Sequence, residues 1–169
     1  MGIGALVSVE EYLRSSYSPD REFVEGRVLE RNLGEKEHSR LQGALIVYLY
    51  NYRKRNLYAW PEQRVQVKAD RFRIPDVCVT EGEPEEQIFT APPLICIKIL
   101  SPEDSLASLH TKVRDYLLFG VPYVWMLNPR TREAHIGSLT GYMLWATGAL
   151  RTSPPHPDVA IELDEFFQL

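Results

Sequence analysis

The chain has 169 residues, 44% hydrophobic and 25% charged, with a net charge of −4. This is enough for a single domain over 1–169 with a real hydrophobic core. The acidic balance argues against a strongly basic nucleic-acid module, while leaving room for a local basic patch.

The N-terminus lacks a basic stretch followed by an apolar run, and no segment approaches the ~18 apolar residues of a membrane span. Both cysteines, Cys78 and Cys96, lie in apolar segments. Two buried thiols in a chain of this length suit a reducing compartment, so the expected location is cytoplasmic.

Ser8, Val9, Glu10 and Glu11 form a capping box, which predicts a short helix over 9–14. Positions 15–20, with Pro19, read as a loop. Two strands follow, over 21–24 and 27–31, about a tight Glu25-Gly26 turn. Glu22 and Glu25 read here as solvent-facing hairpin residues. The longest helical pattern covers 35–55: Leu41, Leu45, Tyr48, Leu49 and Tyr52 recur at threes and fours and give one apolar face. Arg53, Lys54 and Arg55 close it, where cations suit the helix dipole. His38, in the first turn, reads as structural.

Alternation at Val65 and Val67 predicts one strand within 58–68, with Asp70-Arg71 as a turn. The acidic stretch 81–87, with Pro84, is a loop. Residues 105–119 form a second amphipathic helix with Leu106, Leu109, Val113, Tyr116 and Leu117 inward and Gly120 as its stop. Lys112 on this helix reads as a solvated lysine. A buried strand over 121–127 is closed by Asn128-Pro129. A hairpin follows over 133–138 and 142–147, across Thr140-Gly141. Pro154-Pro155-His156-Pro157 is a rigid linker, 159–163 a short strand and 164–169 a last helical turn. The order α-β-β-α-β-β-β-α-β-β-β predicts an α/β (α+β) fold, a mixed sheet with helices on its faces.

Two segments organise the rest. One is 73–80, with Pro75-Asp76; the other is 92–102, with Lys98. Both read as buried strands, and each holds one charge in an apolar run. Such a charge is costly unless paired, hydrogen-bonded or bound to a metal. If the strands pair antiparallel with Asp76 opposite Lys98, then Cys78 falls opposite Cys96. The charges and the thiols then share one face. A site of this kind suits phosphodiester hydrolysis. That reaction uses a divalent cation held by two or three carboxylates, with a lysine to orient water or stabilise the transition state. Pro75 restricts the backbone at the carboxylate.

An ordered series extends over nearly the whole chain. It runs Arg21-Glu22-Phe23-Val24-Glu25-Gly26, His38, Arg73-Ile74-Pro75-Asp76-Val77, Ile97-Lys98-Ile99-Leu100-Ser101-Pro102, then Lys112 and Tyr116 ahead of Gly120-Val121-Pro122-Tyr123-Val124-Trp125. Order and spacing together, rather than any one motif, resemble the Uma-type restriction endonucleases of bacteria, in the PD-(D/E)XK nuclease superfamily. The resemblance implies a restriction-endonuclease-like fold, a central mixed sheet flanked by helices, often in a homodimer. It also implies Mg-dependent cleavage of DNA. Asp76 would be the metal-binding aspartate, Glu22 the acid of the first hairpin near the metal, and Lys112 a lysine supplied from the helix.

One departure bears on that expectation. Where the family pattern has a metal-ligand glutamate, this chain has Lys98, and a later aspartate position holds Asn128. Lys98 is then either the strand lysine of the superfamily motif, with Cys96 where the acid should be, or an ammonium in place of the metal. The second account is preferred. The expected function is a DNA endonuclease that is weakened or inactive, with Mg as an ancestral cofactor. The alternative is a non-cleaving nucleic-acid- or protein-binding module on the same fold. The plainest reading is an unrelated α/β domain with a structural Asp76–Lys98 pair.

Overall fold

The computed structural model describes residues 6–31, 35–140 and 144–168. The capping box acts as the sequence predicts. The Ser8 hydroxyl accepts the Glu11 N–H at 3.1 Å and starts α1 (Val9–Arg14). Tyr12 of this helix is fully buried and packs its ring against Phe23 and Phe72. Phe23 lies in β1 (Glu22–Val24), which turns through Glu25 and Gly26 into β2 (Arg27–Leu29). Both turn residues have positive φ, 49° and 83°, the pairing that a tight two-residue hairpin demands.

α2 (Lys36–Tyr50) buries Leu41, Leu45 and Leu49, then tightens into a 3₁₀ turn over Asn51–Arg55. The single strand expected over 58–68 is two strands, β3 (Leu57–Pro61) and β4 (Val65–Lys68), in different sheets. Pro61 cannot donate to a ladder and Glu62 turns the chain at φ 49°, which ends β3 there. Arg71, expected in a turn, opens β5 (Arg71–Arg73). The two organising segments form β6 (Val77–Glu81) and β7 (Ile95–Ile99).

α3 (Leu106–Phe119) is capped by Ser105, whose hydroxyl accepts the Ser108 N–H, and stops at Gly120 with φ 109°. Its buried stripe starts at Leu109; Leu106, expected inward, is exposed in the first turn. β8 (Tyr123–Asn128) and β9 (Glu133–Ile136) come next. β10 (Leu144–Ala146) pairs antiparallel with β9 as the hairpin predicts, although Gly141 of the expected turn lies outside the described residues. The sequence reading missed β11 (Ala149–Arg151), which pairs with β12 (Ala160–Glu162) ahead of α4 (Leu163–Phe167).

Six strands form the central sheet in the order β10-β9-β8-β7-β6-β3, and a second sheet runs β2-β1-β5-β4. Among the described residues of the central sheet only β7 and β8 pair in parallel, and α3 makes the crossover between them. Strand alternation divides the core. Val77, Val79, Ile95, Ile97 and Trp125 pack with Leu45 and Leu49 of α2. Cys78, Cys96, Val124 and Met126 pack with Val113 and Tyr116 of α3. The mixed sheet flanked by helices is the expected architecture. Among the described residues no helix is long and apolar enough to cross a membrane.

Candidate active site

β6 and β7 pair antiparallel in the expected register. Cys78 stands opposite Cys96 and Val77 opposite Ile97. Asp76 lies one residue ahead of β6, where its N–H donates to the Ile97 carbonyl at 3.1 Å. Lys98 shares its strand face with Cys96, the α3 side of the sheet, and Asp76, just outside β6, meets both Lys98 and His38 of α2.

Asp76 is 1% exposed. Its Oδ2 accepts from Lys98 Nζ at 3.0 Å and from the Ile99 N–H at 2.7 Å. Its Oδ1 accepts from Arg31 Nη2 at 3.0 Å and faces His38 Nε2 at 3.3 Å. Gln42 donates to the Asp76 carbonyl at 2.9 Å. Burial alone pushes the carboxyl up. The His38 hydrogen bond, the Lys98 charge and the Ile99 N–H outweigh it and hold Asp76 well below the usual carboxylate range. Lys98 also stands 3.7 Å from Asp104, whose carboxylate accepts the Ser101 N–H.

Glu22, read as a solvent-facing residue, is 2% exposed. β1 is an inner strand between β2 and β5, which buries it. Its Oε2 accepts from Arg73 at 2.9 Å and lies 3.2 Å from Lys112 Nζ. Arg73 also donates through Nε and Nη2 to Asp115 at 2.8 and 2.7 Å, and Asp115 accepts from Arg71 at 2.6 Å. Arg71 in turn meets Glu25. The result is an alternating row, Lys112–Glu22–Arg73–Asp115–Arg71–Glu25. Burial lowers the Arg73 pKa, but Glu22 and Asp115 more than offset it and keep the guanidinium charged.

Lys112 is thus a partner of Glu22 rather than a solvated lysine, and His38 is a partner of Asp76. The two acids expected to sit together at a metal each hold a lysine of their own. Both lysines nonetheless line one cavity of about 120 Å³, with Arg31, Ser105 and Ser108 on its wall. The sequence reading missed Arg31, Arg73, Asp104 and Asp115.

The family model for Uma2, described as "Putative restriction endonuclease", matches residues 9–164. The chain belongs to the Uma2 family. Its fold is similar to that of a "putative nuclease belonging to DUF820" from Anabaena variabilis. That structure shares 20% identity at a TM-score of 0.79, covering 96% of this chain and 98% of that one. No curated protein matches the sequence.

The Uma2 resemblance implies Mg²⁺, which takes carboxylate and water oxygens in a strict octahedron. The donors present here do not fit it. Each Asp76 oxygen already faces two donors, and Lys98 and Arg31 among them are cations. Glu22 is held by Arg73 and Lys112. Among the described residues no group of three or more His, Cys, Asp or Glu side chains is placed to hold a metal ion. Cys96 does not replace the missing carboxylate. It packs in the apolar layer, and burial raises its thiol well above the ordinary value, so it stays neutral.

Proposed function

We propose that this Uma2 chain is a nuclease-fold protein that binds DNA and whose cleavage chemistry is weakened or lost. The observation that carries the reading is the Lys98 ammonium 3.0 Å from Asp76 Oδ2, in a position that would serve a cation. Hydrolysis of a phosphodiester needs a water made nucleophilic and a neutraliser for the charge that develops. Arg31, Lys98 and Lys112 supply positive charge around the cavity. Asp76 itself is poorly suited to act as a base. A good base titrates near the working pH, and Asp76 is held far below it. Its oxygens are also already engaged by donors.

DNA is the proposed ligand because the family's description is "Putative restriction endonuclease". Two free, buried thiols support cytoplasmic residence, and the family resemblance supports a homodimer.

The test is incubation with plasmid and Mg²⁺ or Mn²⁺, beside Asp76→Ala as control. The expected outcome is salt-dependent DNA binding with no nicking above the control. Efficient Asp76-dependent cleavage would overturn the reading. A second arm uses Lys98→Glu, which restores an oxygen ligand beside Asp76. Calorimetry of that variant should show Mg²⁺ binding that the native chain lacks, and a silent titration counts against the proposal.

A further inference from the structure

We propose that Arg31, Lys98 and Lys112 form a metal-free oxyanion site that takes a phosphate group directly on side-chain N–H donors. The inference rests on the nucleic-acid reading above and deepens it by naming the group bound and the atoms that hold it.

An ammonium carries three N–H donors and a guanidinium five. Lys98 donates to Asp76, and its next acceptor, Asp104, stands at 3.7 Å, beyond hydrogen-bond reach. Lys112 faces Glu22 at 3.2 Å. Arg31 donates through Nη2 to Asp76, while Nη1 stands 3.5 Å from Glu62. Each cation therefore keeps N–H groups that its carboxylate does not use, and all three border the same cavity.

The layering of charge supports the same reading. The Asp76 and Glu22 side chains are 1% and 3% exposed, against 12% for Arg31, 16% for Lys98 and 20% for Lys112. The three cations thus stand between the cavity and these two acids, while Glu30, Glu103 and Asp104 share the cavity wall with them. Of the other acids on the wall, Asp104 accepts the Ser101 N–H and faces the Lys98 ammonium at 3.7 Å. Glu30 is paired with Arg21 at the rim and Glu103 is exposed, where water screens both. Ser105 uses a hydroxyl lone pair for its cap, which leaves its O–H to donate. At about 120 Å³, the space is several times the ~30 Å³ share of a water molecule, enough for a phosphate group. Buried carboxylates fix the cations in place, so binding requires little side-chain ordering.

The probe is inorganic phosphate in the presence of EDTA, followed by ³¹P NMR. Saturable binding is expected, unchanged when Mg²⁺ replaces EDTA. Lys98→Met and Lys112→Met should each weaken it about tenfold, as loss of a charge-assisted donor does. Lys54→Met, on the exposed 3₁₀ turn, should leave it unchanged. Because either core variant could fail to fold, the native chain is also footprinted by amine acetylation. Phosphate should slow modification of Lys98 and Lys112 and spare Lys54. Binding only with Mg²⁺, or no protection at either lysine, would overturn the site. Protection by phosphate without binding of duplex DNA would uphold the site and defeat the nucleic-acid reading. DNA binding without protection would do the reverse.

Discussion

Asp76 is more than the acid of a motif. Four groups converge on it, and removing it would leave Lys98 and Arg31 partly buried beside a missing charge. Asp76→Ala should therefore destabilise the chain by roughly 3–5 kcal/mol near neutral pH, measured by denaturant unfolding. The sign of the pH dependence follows from the depressed pKa. Its contribution is complete above the ordinary carboxyl value of 3.8 and is lost as pH falls toward the lower folded value. The gap between native chain and variant should thus narrow in acid; a gap that widens there would contradict the pairing. Lys98→Ala should cost less, about 1.5–3 kcal/mol, because Arg31 and the Ile99 N–H still hold Asp76. At this scale the Asp76–Lys98 contact was legible, since strand alternation fixes which side chains meet once a register is chosen. Arg31 was not, because it reaches Asp76 from 45 residues away and no local period encodes that approach.

At the scale of elements, α3 is fastened to the second sheet by charge as well as packing. Asp115 receives two arginines from β5, while Lys112, one turn earlier, meets Glu22 of β1. Asp115→Ala takes one of its two acid partners from each arginine, leaving Arg73 with Glu22 and Arg71 with Glu25, and should destabilise by roughly 3 kcal/mol, with Lys112→Ala costing clearly less. Equal losses in thermal or denaturant melts would show that Glu22 and Glu25 suffice for the two arginines. α1 and α3 were legible because Ser8, Ser105 and Gly120 are local stop and start signals. The break between β3 and β4 was not, because it depends on Glu62 adopting a positive φ that its side chain does not favour. β11, at three residues, is too short for a pattern to show.

Over the whole molecule, an acidic chain gathers cations in one recess. If DNA binds there, affinity should fall with added salt. About three phosphate-contacting cations correspond to a log–log slope near −3, and Lys98→Met should reduce it by about one. An unchanged slope in that variant would place the contact elsewhere. The fold class was legible because the apolar period switches between two and 3.6 along the chain. The division into two main sheets was not, since it depends on β1 and β5 pairing across 46 intervening residues, from 25 to 70.

The facing thiols of Cys78 and Cys96 have a practical use. They sit in the middle of the central sheet, fully enclosed, and burial keeps them protonated and unreactive. A thiol reagent can reach them only when neighbouring strands separate, so its rate of labelling reports how often the innermost part of the molecule opens. The native chain thus carries a built-in clock for its own breathing, with no label to introduce and no residue of the charged recess disturbed.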